Sequence, residues 1–192
     1  MRLTASGAWV HLTACVEGVV GAGTVVGAFA WVGPLATVGR DCVIGPGCRI
    51  GQDGFGYTLE PDGSWKCKPQ SYGVLIEDDV HLGANVCIDR GSYRDTTIRS
   101  GTRIDNLVHL SHNCVVGRNV MIVAHAMIAG SVEIGDGAWV GPSASILQHV
   151  VIGARALVGM GSVVLHDVEY DVTVAGIPAR VVNDEVGVRE AM

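Results

Sequence analysis

Seven histidines lie along the 192-residue chain: His11, His81, His109, His112, His125, His149 and His166. A neutral imidazole facing a groove can take a proton from an incoming amine or hydroxyl. His112, Gly130 and Gln148 are spaced by eighteen residues, and His149 follows directly. A glycine at that spacing lets a backbone N–H approach a carbonyl and hold the oxyanion that forms on it. Base and oxyanion donor side by side are what acyl transfer from a thioester requires. His112 is therefore read as the general base, Gly130 as the oxyanion donor and His149 as an assisting group. One histidine at a turn would be ordinary solvated chemistry, but several along one edge call for a second explanation.

What brings residues eighteen apart to one edge is a period of six. From Val20 an aliphatic residue recurs at every sixth position to Ile50, resumes at Ile76, Leu82 and Ile88, and runs unbroken from Ile98 to Val164. Four residues after each comes a smaller inward candidate, such as Ala30, Cys42, Cys114, Ala126 or Ala144. Neither a helix nor a flat strand has this period. A short strand plus a tight turn does, and three such units close a triangular coil. Coils stacked about 4.8 Å apart pair each strand with its counterparts above and below. The expectation is an all-β parallel β-helix of about seven coils over residues 1–182, with 183–192 a short polar tail.

Two interruptions break the register, the longer at 51–75 and the shorter near 92–97. Counted in threes from Val20, both follow the third strand of a coil, so both leave the edge that carries His112 and His149. The long loop holds Phe55, Tyr57, Trp65 and Tyr72 in a chain that is only 5% aromatic, which marks it as functional. Asp53, Phe55, Tyr57, Arg90, Asn113 and Gln148, all on or beside this edge, are read as substrate-binding. His125 falls on a different edge and could complete the site of a neighbouring subunit.

A net charge of −6 leaves no excess of Lys and Arg for a phosphate backbone, so nucleic acid is not an expected partner. The six cysteines include no C-x-x-C pair and are read as reduced thiols of a cytoplasmic protein. The uncharged run 18–39 contains six glycines and Pro34, which argues against a membrane span.

The V-G-x-x-A-x hexads resemble the left-handed β-helix of the hexapeptide-repeat acyltransferases, a resemblance that implies handedness and a homotrimer. The gamma-class carbonic anhydrases share that scaffold and hold zinc with three His, but their H-x-x-x-x-H pair is missing here because Gly117 stands five residues after His112. No metal and no tightly bound cofactor are expected. A more specific string follows: DGFGY (53–57), WKCKPQ (65–70), IDRG (88–91), DTTI (95–98), IDN (104–106), LSHNCVVG (110–117) and IAGSVEIG (128–135). Its order resembles that of the UDP-3-O-acylglucosamine N-acyltransferases. The resemblance implies that His112 matches their catalytic base, Gly130 their oxyanion donor and His149 a second active-site histidine. It also implies direct transfer of the acyl group to a sugar amine at a cleft between two subunits.

That family has an N-terminal domain gripping the uridine nucleotide and C-terminal helices associated with acyl carrier protein. Here the β-helix begins within the first twenty residues. The ending AGIPAR (175–180) looks like the coenzyme A enzymes of the wider superfamily. Gly159, Pro178 and Arg180 are accordingly read as cofactor-binding, with acyl-CoA or acyl carrier protein as co-substrate and an amino sugar, free or nucleotide-linked, as acceptor. The alternatives are an O-acyltransferase on a sugar hydroxyl and a catalytically silent scaffold.

Overall fold

The computed structural model describes residues 1–182, which fold into short strands and turns with no helix. The tail expected at 183–192 lies outside the described residues. No helix among the described residues is long and apolar enough to cross a membrane.

Each hexad supplies a strand of two to four residues whose large aliphatic side chain points inward. Ile88, Leu110, Ile128 and Ile146 stack in this way and are all buried. The smaller residue four positions on, Cys114, Val132 or Val150, fills the corner and is buried as well. Removing these side chains from water supplies the main stabilisation, about 1.5–3 kcal/mol for each large aliphatic.

The strands sort into three parallel faces. The first has seven strands, from Val19–Val20 to Val151–Ile152; the second has eleven, from Arg2–Leu3 to Arg180–Val181; the third has eight, from Cys15–Val16 to Val163–Val164. The chain visits them in turn, so between Val19 and Val164 ladder partners differ by eighteen residues wherever no loop intervenes, as His109 with Met127 and Leu110 with Ile128.

The second face carries nine parallel rungs, from Trp9–Val10 to Thr173–Ala175. The expected seven coils are thus too few. Additional rungs precede Val20 and follow Val164, where the six-residue spacing fails: Val16 and Val20, like Val164 and Val168, are four apart. Val168 still bridges to Ile152, and Val174 still pairs with Val158. Antiparallel strands Arg2–Leu3 and Arg180–Val181 cover the two ends of this sheet, blunting edges that would otherwise invite pairing.

Both loops leave the third face, the longer after Arg49–Gln52 and the shorter after Cys87–Asp89. The longer contains an antiparallel hairpin, Tyr57–Leu59 with Trp65–Cys67. Its return path meets the shorter loop where the Tyr72 N–H donates to Gly91 O at 2.9 Å.

Candidate active site

Where the third face turns into the first after Leu110, Ile128 and Ile146, each turn holds one residue in the left-handed region. Asn113, Ser131 and His149 fill that position on successive rungs, with φ of 62°, 63° and 66°, a conformation that Asn and His tolerate better than most side chains. The corners are bonded to one another. The Ser131 N–H donates to His112 O at 2.9 Å, and the His149 N–H donates to Gly130 O at 3.0 Å. His112, Gly130 and His149 therefore rise along one edge, as the eighteen-residue spacing predicts.

The His112 ring is held between two glycines. A Cβ on Gly130 would stand 2.6 Å from His112 Cε1, and one on Gly54 would stand 2.9 Å from His112 Cδ2. Both distances are shorter than any real contact, so each glycine makes room for the imidazole. The Gly130 N–H has no acceptor among the described residues, while its neighbour Ala129 donates to Ile146 O on the rung above and Ser131 to His112 O on the rung below.

An open cleft of about 760 Å³ runs along this edge. His112, Asn113, Gln148 and His149 line it from the prism, and Phe55 and Tyr57 line it from the long loop. The Phe55 and Tyr57 rings meet at 5.1 Å and 58°. Trp65 from the hairpin, Lys68 and Gln70 just after it, and Ser92, Tyr93 and Ser131 line it as well. Sequence reasoning did not name these six as site residues. The sequence marks Trp65 only as loop aromatic content, and nothing local signals that the short loop folds back until the Tyr93 hydroxyl meets Ser131 Oγ at 2.9 Å.

Other candidates are engaged elsewhere. Asp53 and Arg90 pair with each other, Arg90 Nε lying 2.5 Å from Asp53 Oδ1, and neither lines the cleft. Asn113 lines it but is only 1% exposed; its side chain is spent on Ser92, Tyr93 and His112. His125 is exposed where the second face turns into the third, the corner that also carries Gly159. The turn containing Pro178, which leads into Arg180, caps that same corner, with the Val163 N–H donating to Gly176 O at 3.0 Å and the Ala179 N–H to Val163 O at 2.8 Å. Within one chain, the donor-binding candidates and the histidine cleft thus occupy different edges.

Asp89, 3% exposed, lies on the third face one rung below Ser111. Burial pushes its carboxyl pKa up; the Gln52 Nε2 hydrogen bond at 3.1 Å and the His109 and His112 imidazoles pull the other way. His109 Nε2 lies 3.6 Å from Asp89 Oδ2 and 3.1 Å from Ser111 Oγ. A nucleophile relay needs the acid on one ring nitrogen and the serine on the other. Here both meet Nε2, so Ser111 is not activated by this group. Among the described residues no three His, Cys, Asp or Glu side chains are grouped to hold a metal ion.

A three-sided prism of hexads with a histidine cleft along one edge is the build of a hexapeptide transferase. The chain belongs to the bacterial transferase hexapeptide (six repeats) family, whose sequence model matches residues 19–53, 95–130 and 131–166. It is 42% identical over 134 residues to "UDP-3-O-acylglucosamine N-acyltransferase" of Methylobacterium nodulans, covering 70% of this chain and 38% of that one. It is 40% identical over 129 residues to "Probable UDP-3-O-acylglucosamine N-acyltransferase 2, mitochondrial" of Arabidopsis thaliana, covering 67% and 42%. The chain spans about two fifths of the length of these curated relatives. Among solved structures, a UDP-N-acetylglucosamine acyltransferase from Campylobacter jejuni superposes with a TM-score of 0.72 at 25% identity, covering 95% of this chain and 78% of that one. The fold is the left-handed β-helix of that group.

Proposed function

We propose that this protein transfers an acyl group from a thioester to the amine of a sugar nucleotide resembling UDP-3-O-acylglucosamine. The observation that carries the reading is the seat of His112: an imidazole lodged between two glycines, lining a large cleft, beside a Gly130 N–H with no acceptor among the described residues. The relatives' names supply the acceptor class.

In this reading the thioester carbonyl oxygen accepts the Gly130 N–H. The acceptor amine forms its bond to the carbonyl carbon while one of its protons passes to the His112 imidazole, which returns it to the departing thiolate. The products are an amide and a free thiol. His149, one rung above Gly130, positions the donor or a substrate phosphate. The apolar wall of Phe55, Tyr57 and Trp65 suits an acyl chain or a base, and Lys68 is its cation.

The assembly we propose is a homotrimer in which the edge of His125, Gly159, Pro178 and Arg180 faces the His112 edge of the next chain. Acyl-CoA or acyl carrier protein is the donor, held without a resident cofactor. All six cysteines are free thiols, which supports a reducing compartment such as the cytoplasm.

The test is free-thiol release from a panel of acyl-CoA and acyl carrier protein thioesters with UDP-3-O-acylglucosamine and simpler amino sugars as acceptors. Release that depends on the acceptor supports the reading. Binding without release, across the panel, favours a silent scaffold.

A further inference from the structure

His112 is bonded at Nδ1 by the Asn113 carboxamide nitrogen, 2.8 Å away. An amide nitrogen only donates, so the ring nitrogen it meets must accept. The opposite orientation of the amide is costly at rest. Asn113 Oδ1 already takes the backbone N–H of Ser92 at 2.8 Å and of Tyr93 at 3.3 Å. Turning the amide over would set its own N–H groups against those two donors. Nor can the residue move aside: its N–H donates to Thr96 Oγ1 at 2.9 Å, and its carbonyl accepts Arg94 Nε at 2.9 Å.

A neutral imidazole has one N–H and one lone pair on its two nitrogens. With Nδ1 accepting, the hydrogen sits on Nε2, the nitrogen left for a substrate. At rest the ring therefore offers the cleft a hydrogen-bond donor, whereas a base must offer a lone pair there.

We propose that Asn113 is the positioning residue that stores His112 in its Nε2–H tautomer, and that the ring becomes a base toward the acceptor only when the Asn113 amide turns over. In that exchange a proton leaves Nε2 to solvent and another enters at Nδ1, so the ring stays neutral and Nε2 gains its lone pair. Asn113 Oδ1 then accepts the new Nδ1–H, and the Ser92 and Tyr93 N–H groups both lose their partner. The Ser92 hydroxyl, 3.0 Å from Asn113 Nδ2 at rest, is the group able to take the displaced amide nitrogen. The inference rests on the acyl-transfer reading for what the base does, but the tautomer follows from the hydrogen bonds alone.

An aspartate at 113 would remove the conflict, since two carboxylate oxygens can accept from Ser92, Tyr93 and His112 together. The experiment is a long-range nitrogen–proton correlation spectrum of the full-length protein labelled with 15N-histidine, at pH 8, with the His112 signals identified by their loss in His112→Gln. The expected result is a protonated Nε2 and a bare Nδ1 in the unmutated protein, with the pattern inverted in Asn113→Asp. Acyl transfer by that variant should also rise several-fold in kcat at unchanged acceptor KM. A protonated Nδ1 in the unmutated protein overturns the proposal, as does an Asn113→Asp protein with unaltered tautomer and rate. If Asn113→Asp fails to fold, the unmutated spectrum decides alone. Absence of thioester turnover by the unmutated protein would sink the acyl-transfer reading and leave the spectrum to decide the tautomer.

Discussion

His112 owes its place to what its neighbours lack. A methyl group at position 130 would overlap Cε1 yet keep the backbone N–H, so Gly130→Ala separates ring placement from oxyanion binding. Because a misplacement of about 1 Å can reduce a rate about 10²-fold, kcat is expected to fall by at least about tenfold while circular dichroism stays unchanged. An unaltered kcat would show that the ring has room to spare. Asp89 makes a prediction about stability. Its carboxyl pKa is raised above the ordinary 3.8, chiefly by burial. The folded state then keeps a proton that the unfolded chain has already released, so stability falls as pH rises from about 3.8 through the raised value. Asp89→Asn removes that ionisation. Its melting temperature should exceed that of the unmutated protein at pH 7, with the gap closing below about pH 3.8; a gap that widens toward acid would contradict the burial account.

At the level of the element, the strands were legible in the sequence because every rung repeats the same inward pair. One aliphatic period located Ile88, Leu110, Ile128 and Ile146 on one face, all buried, and therefore the edge that His112 and His149 share. The period fails where tertiary pairing replaces it. Val10, Val16 and Val174 are buried or partly buried ladder residues, but four-residue steps next to Val20 and Val164 take the end rungs out of register. The walls of the cleft were hidden for a similar reason: Tyr93 and Gln70 belong to loops whose placement depends on contacts with distant rungs. Gln70, 5% exposed, donates Nε2 to Lys68 O at 3.3 Å and leaves Oε1 with no donor. An unsatisfied buried acceptor costs about 1–3 kcal/mol, against about 0.5–1.5 kcal/mol for the bond it makes. Gln70→Met, close in volume and apolar, should therefore melt at the same temperature or higher. A clear drop in melting temperature would mean that the hairpin depends on the amide.

Across the whole molecule, the prism separates two sets of candidate residues onto different edges of one chain: His112, Gly130 and His149 on one, His125, Gly159, Pro178 and Arg180 on the other. The proposed homotrimer would unite them, and sedimentation should then give a species of three chains, about 60 kDa from the 20.0 kDa chain. A stable monomer with full activity would refute the shared cleft. The central claim remains the chemistry at His112, and one rate comparison tests it most directly: acceptor-dependent thiol release by the unmutated protein and by His112→Ala. A lost general base lowers the rate by about 10²- to 10⁴-fold. The account predicts a fall of that order in kcat, with acceptor KM nearly unchanged and the β-helix intact by circular dichroism. A His112→Ala protein that folds and turns over at the unmutated rate would contradict it.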